Sequence, residues 1–268
     1  MEHITRISLY LNPVGNRELS QAQVNSFGPM LQSVLMENVR EPYVDKLHLP
    51  FFNPFSQYCF IDYDGSIVWQ VNALNNEAAK FLIDPVSKIE SFKLKNLNES
   101  FFVIKKTIET LEVDRLFDSL RNEAKSAYCI RFVTPTAFKS KGEYVIIPDV
   151  RLIFQNLLMH YNQIYAGSNE IDNETISYIA AHTKVTSYNL RSRYFSRTAN
   201  SSDKIPGFCG SLKIYVSGPQ SLRGLVSLLL NFGEASGIGI KTSMGMGGMQ
   251  LLHEKARYSH NKEEAIGR

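Results

Sequence analysis

Residues 233 to 248 read G-E-A-S-G-I-G-I-K-T-S-M-G-M-G-G, so that Gly237, Gly239, Gly245, Gly247 and Gly248 surround Lys241, Thr242 and Ser243. Glycine lets a backbone turn tightly and come close to a ligand, while ammonium and hydroxyl groups bind anionic oxygens. The chemistry on offer is a cradle for a polyanion. Two familiar phosphate loops do not fit. The nucleotide-hydrolase loop needs Gly immediately before its lysine, and Lys241 follows Ile240; the dinucleotide fingerprint begun at Gly237 and Gly239 meets Thr242 where its third glycine belongs. A plain glycine-rich turn between a helix and a strand is the simpler alternative.

A second concentration of chemistry lies upstream. Lys184, Arg191, Arg193, Arg197, Lys204 and Lys213 face a single acid, Asp203, in a chain whose formal net charge is only +3. Tyr188, Tyr194, Phe195 and Phe208 are interleaved with them. Guanidinium groups pair with phosphates and aromatic faces stack unpaired bases, a mixture suited to RNA. A solvated loop whose aromatics belong to the core is the competing reading. For proton transfer near neutral pH the chain has six histidines, His3, His48, His160, His182, His253 and His260. Imidazole suits that work because its unperturbed pKa is ~6.5.

The elements that must position these groups follow from periodicity. Ile7, Leu9 and Leu11 alternate with polar neighbours as in a half-buried strand, and Val24, Phe27, Leu31 and Leu35 recur at helical spacing after a Ser20/Gln23 capping box. Tyr58 to Tyr63 and Ile67 to Val71 flank an Asp64-Gly65 turn, as in a hairpin. A short helix over 75 to 83 and a strand over 101 to 108 complete a β-α-β-β-α-β order. The pattern restarts near residue 126, with a strand through Ile130 and Phe132, a helix after Pro148, a strand through Leu212 and Ile214, and a helix through Leu222, Leu225, Val226, Leu229 and Leu230 that Gly233 would cap. Met249 to Leu252 is a closing strand. The expected fold class is α+β, two tandem ferredoxin-like (RRM-like) domains spanning 1–125 and 126–268.

Composition limits the alternatives. At 44% hydrophobic and 21% charged the chain reads as globular, and no apolar run approaches the ~18 residues of a membrane span. Cys59, Cys129 and Cys209 are isolated, against a disulfide framework or structural zinc, so a soluble, cytoplasmic protein without a membrane partner is expected.

The pattern Gly237-Ile238-Gly239, five residues including Lys241, then Gly245-Met246-Gly247 closely resembles the C-terminal signature of the CRISPR-associated endoribonucleases that cut precursor guide RNA within its repeats. Similar patterns occur at Leu47-His48, at Asn53-Pro54-Phe55-Ser56-Gln57-Tyr58, from Phe132 to Phe138, at Pro148-Asp149 and from Pro206 to Gly210. The resemblance implies tandem ferredoxin-like domains and metal-independent cleavage. The 2′-hydroxyl would attack its own phosphate, leaving 2′,3′-cyclic phosphate and 5′-hydroxyl ends, with no cofactor and no metal. His48 stands where the family carries its catalytic histidine, as general acid or general base. Relatives often have a lysine or arginine shortly afterwards, where this chain has Asn53. Tyr43, Lys46 and Arg40 are the nearby substitutes. Repeat RNA, as precursor and mature guide, is the implied partner, held by Lys241 and the loop amides together with Arg191, Arg193 and Arg197. A CRISPR effector complex is a further partner, and monomer or homodimer stays open. A non-catalytic RNA-binding subunit is the alternative function. A metal-dependent nuclease is disfavoured because Asp62 and Asp64 read as a strand end and turn.

Overall fold

The computed structural model describes residues 1–15, 17–47, 53–122, 124–196 and 204–252. The N-terminal elements are β1 (His3–Pro13), α1 (Gln21–Asn25), α2 (Gly28–Glu37), α3 (Glu41–Leu47), β2 (Phe55–Ile61), β3 (Ile67–Ala73), α4 (Asn76–Ala78), a π turn (Ala79–Ile83), α5 (Asp84–Val86), β4 (Ser91–Leu94) and β5 (Glu99–Glu112). After α6 (Asp118–Arg121) come β6 (Ala127–Thr136), β7 (Phe138–Ser140), β8 (Glu143–Val145), α7 (Val150–Tyr161), α8 (Asn173–His182), β9 (Thr183–Ser196), β10 (Lys204–Val216), α9 (Gln220–Ser236) and β11 (Met249–Leu251).

Two main antiparallel sheets result, ordered β2-β3-β1-β5-β4 and β11-β6-β10-β9, and β7 and β8 pair as a separate two-stranded sheet. Counting the main strands of each half in chain order, both sheets run 2-3-1-4, the ferredoxin-like arrangement expected from the sequence. One face of each sheet is covered by helices. Leu9, Trp69 and Phe101 pack with Leu31 and Leu35 of α2 in one core. Ile130, Phe132, Leu212 and Ile214 pack with Leu157 of α7 and Val226 and Leu229 of α9 in the other.

Three expectations change in detail. The single helix read through Val24, Phe27, Leu31 and Leu35 is two helices: the capping box forms at Ser20, but α1 stops at Asn25 because Pro29, in the first turn of α2, cannot donate to the carbonyl four residues back. Gly233 does not cap α9, which runs on to Gly237. A side chain at Gly233 would meet Met249 Sδ at 2.8 Å and Leu157 Cδ2 at 2.9 Å, so this glycine serves close packing inside the helix. The described part of the basic segment is neither loop nor short strand; β9 (183–196) and β10 (204–216) pair antiparallel along their whole length.

The bare sheet faces meet. Tyr58, Phe60 and Val68 of the first sheet pack on Val133 of the second. Around them, first-half side chains satisfy the carbonyls that end α9: Arg6 Nη2 donates to Glu234 O at 3.0 Å and Ser56 Oγ to Ala235 O at 2.5 Å. Asn72 joins the two, accepting from Arg6 Nε and donating to Ser56 Oγ.

Candidate nucleic-acid interface

The glycine loop leaves α9 and closes against both halves of the molecule. Its amides are engaged within the protein: Ile238 donates to Gly247 O, Ile240 to Ala137 O, Gly247 to Pro135 O, Gly239 to Asn156 Oδ1 and Gly248 to Thr134 Oγ1. These amides therefore hold the loop's shape and are not open to a phosphate, which narrows the expected amide cradle to the turn at Lys241, Thr242 and Ser243. Two glycines are required by contact. Gly245 (φ 101°) lies where a Cβ would come within 2.7 Å of Gly28 Cα at the start of α2, and a Cβ at Gly248 would be 2.7 Å from the Tyr58 ring. Lys241 holds a left-handed φ of 57°, which a non-glycine residue adopts at an energetic cost.

Polar side chains lock that turn to the first half. Gln57 Nε2 donates to Ser243 O at 3.2 Å and Gly28 O at 2.8 Å, while its Oε1 accepts from Trp69 Nε1 at 2.9 Å. Asn53 Nδ2 donates to Ser243 Oγ at 3.2 Å. On the far side Met246 packs with Phe195, Ile205 and Ala137. Phe195 is the end of the β9 face that carries Arg191 and Arg193, so the structure brings the loop and the arginines onto one continuous surface.

Strand alternation sorts the basic segment. Arg191 pairs with Cys209 and Arg193 with Gly207, on the sheet face turned away from the core; Tyr188 pairs with Leu212 and Tyr194 with Pro206, on the other face. Guanidinium groups and tyrosines are thus separated by the sheet, not interleaved on one surface. β6, β9 and β10 contain no Asp or Glu. Arg131, from β6, joins the arginine face: its guanidinium lies 4.6 Å from the exposed Tyr63 ring, and its Nη1 is buried without a hydrogen-bond partner among the described residues. A cleft of about 430 Å³ opens here, lined by Gln21, Asn25, Tyr63, Arg131, Arg191 and Arg193 among others. Burial pushes the neighbouring Cys209 thiol up to about 12, with Arg193 pulling it back, so it stays neutral. Arg131 and Tyr63 were not separable in the sequence, because only the register places them beside β9.

The residues read as catalytic fare differently. His48 and Arg197 lie outside the described residues, as do His253 and His260. Tyr43 is in the first core, stacked on Phe81 with ring centroids 4.6 Å apart, and its hydroxyl is buried without a hydrogen-bond partner among the described residues. Burial, with the nearby Glu77 carboxylate, raises its pKa well above the usual tyrosine range, and a sealed neutral phenol cannot reach a phosphate. Lys46 pairs with Glu77 at 2.5 Å on the exposed surface of α3. Neither belongs to the loop-and-cleft surface. Arg40 is exposed just before α3, and His3 bonds Asn76. His160 is buried in α7, where Asn156 links it to Gly239: Asn156 Oδ1 accepts from the glycine, which leaves Nδ2 to donate to His160 Nε2 at 3.1 Å. Its pKa is lowered to about 3 by burial. Among the described residues no three His, Cys, Asp or Glu side chains gather as metal ligands, and no helix is long and apolar enough to cross a membrane.

Comparison with known proteins agrees with this geometry. Residues 130–249 match the family of the CRISPR-associated endoribonuclease Cas6. The chain is 36% identical over 222 residues to the CRISPR-associated endoribonuclease Cas6 of Streptococcus thermophilus, covering 82% of this chain and 89% of that protein. It is 35% identical over 254 residues to the Cas6 of Mycobacterium tuberculosis, covering 93% and 79%. In three dimensions it resembles a Cas6 product complex with a TM-score of 0.74 at 20% identity, over 94% of this chain and 100% of that one. The Thermus thermophilus Cas6 gives 0.65 at 19% identity, over 94% and 99%. Those identities speak to the fold; the closer sequence relatives establish that the chain belongs to the CRISPR-associated endoribonuclease Cas6 family.

Proposed function

We propose that this endoribonuclease cuts CRISPR precursor RNA within its repeats by metal-independent transesterification. The 2′-oxygen loses its proton and attacks the adjacent phosphorus, the bond to the 5′-oxygen breaks, and that oxygen takes up a proton. One fragment then ends in a 2′,3′-cyclic phosphate and the other begins with a 5′-hydroxyl. His48 carries a proton in this exchange, as general acid to the leaving oxygen.

The observation that carries the reading is the acid-free face of β6, β9 and β10, whose Arg131, Arg191 and Arg193 lead through Phe195 to the glycine loop. A polyanion lying on that face runs toward Lys241. Asn53, five residues after His48 in sequence, donates to Ser243 of the same loop, so the loop is tied to the first half of the chain at that residue. With Tyr43 and Lys46 set aside, alignment of the 2′-oxygen with the leaving oxygen supplies a large part of the acceleration.

Incubating the purified protein with repeat RNA in EDTA and identifying the product ends by mass spectrometry tests this. Specific cuts with cyclic phosphate ends are expected. Retention of RNA without cutting would instead make the chain a binding subunit, and activity abolished by EDTA would make it a metal enzyme.

A further inference from the structure

The cleft beside β9 holds a guanidinium whose hydrogen bonding is incomplete. Arg131 lines it and is partly buried, and its Nη1 is sealed from water without a hydrogen-bond partner among the described residues. A buried donor left so costs free energy that an acceptor brought by a ligand would recover. Tyr63 lies 4.6 Å from this guanidinium and is 62% exposed on the β2–β3 turn, so displacing one surface ring opens the recess. The wall made by α1 is set in advance: Asn25 Nδ2 donates to Val133 O, Gln21 Nε2 to Asn25 Oδ1, and the Ile61 amide to Gln21 Oε1. Tyr63 comes from the first half of the chain and Arg131 from the second, so neither half holds the recess alone.

This recess differs from the strand surface next to it. Arg191 and Arg193 are exposed and meet phosphates that keep most of their water, whereas a phosphate entering the recess would shed it beside Val133 and the neutral Cys209 thiol. A flat, uncharged ring with one polar edge suits the recess better, and about 430 Å³ is within the range of small-ligand sites. A guanidinium has five donors and no acceptor, so it selects an edge that carries two acceptors side by side. Guanine presents O6 and N7 together, whereas adenine sets an amino donor beside its N7. Unpaired RNA bases are splayed out and stacked on aromatic rings in this way. Resting on the reading of this face as RNA-binding, we infer that the cleft is a pocket for one unpaired guanine, whose O6 and N7 Arg131 reads and whose ring Tyr63 covers. Arg131 is then a specificity-determining residue, and Arg191 and Arg193 hold the strand on either side without regard to sequence.

Fluorescence anisotropy with short labelled RNAs tests this independently of cleavage. The probes are uridine octamers carrying one central guanine, inosine, 7-deazaguanine, adenine or cytosine. Guanine and inosine, which share O6 and N7, should bind about tenfold tighter than adenine or cytosine, and 7-deazaguanine, which lacks N7, should lose most of that advantage. Arg131→Lys keeps the charge but not the fork, and should erase the preference while the other octamers bind nearly as before. Arg191→Ala should weaken all five probes alike and leave the preference intact. Tyr63→Phe should match the wild type, and Tyr63→Ala should weaken the guanine probe by about fivefold or more. Should Arg131→Lys not fold, the comparison of guanine with 7-deazaguanine on the wild type decides alone. Equal binding of all five probes, or a preference for cytosine or adenine, overturns the guanine pocket and leaves the RNA-binding face standing. Failure to bind any of the probes or the repeat RNA removes the face as well.

Discussion

β5 and β9 are both 14 residues long, β9 as the edge of its sheet and β5 with an open edge beyond Val103 among the described residues, yet they are built from opposite materials. β9 carries Lys184, Arg191 and Arg193 with no acid, whereas β5 balances Lys105 and Lys106 with Glu99, Glu109 and Glu112. An edge of one sign attracts a partner of the other sign and repels its own copy, while a mixed edge can satisfy itself. The two long strands sit at different places in the 2-3-1-4 order, the fourth in one half and the second in the other, and their charge patterns differ accordingly.

Four measurements would break or sharpen that contrast. The largest effect is expected away from both edges: His48→Ala should slow repeat cleavage by roughly 10²- to 10⁴-fold with RNA affinity nearly unchanged, measured by single-turnover cleavage beside filter binding. Wild-type rates would remove His48 from the chemistry. Next, Arg191→Ala with Arg193→Ala should weaken RNA binding by about tenfold or more and lower the salt slope by about 0.7 for each lost contact to a single-stranded phosphate. Lys105→Glu on β5 should leave binding unchanged, and equal losses at the two edges would erase the distinction between them. Third, His160 ties α7 to the loop beside β9, and burial lowers its pKa from 6.5 to about 3. The unfolded chain takes up a proton below pH ~6.5 that the folded chain refuses until about 3, so stability is full above ~6.5 and falls as the pH drops through that window. Equilibrium denaturation should lose about 2 kcal/mol between pH 7 and pH 5, a slope that His160→Gln should remove. The smallest effect is at the strained Lys241: Lys241→Gly should raise stability by about 0.5–1 kcal/mol while lowering RNA affinity, against the usual cost of adding glycine. If affinity is unchanged, the lysine does not touch RNA.

Fold and family were legible because each rests on short-range pattern. Alternation at Ile7, Leu9 and Leu11, helical spacing from Leu222 to Leu230, and the glycine run are local properties of the chain. What escaped the sequence depends on pairing across distance. Arg131 and Tyr63 meet only because β6 and the β2–β3 turn face one cleft, and Tyr188 and Arg191 separate only because β9 is a strand, not a loop. Tyr43 stood close to His48 in sequence, but its ring was required under Phe81, a packing demand no local pattern announces. Asn53 looked like the loss of a charged group; its amide instead makes a contact with Ser243, 190 positions along the chain.

The closed hydrogen bonding of the glycine loop bears on how such an enzyme could be retargeted. A segment whose amides answer to Pro135, Ala137, Asn156 and Gly247 is fixed by its own scaffold, whatever RNA it serves. Libraries that vary the exposed positions of β9 around Arg191 and Arg193 therefore leave the scaffold of the loop untouched. Variation inside the loop, where Gly245 abuts Gly28 and Gly248 abuts Tyr58, would mostly sample misassembly of the two halves.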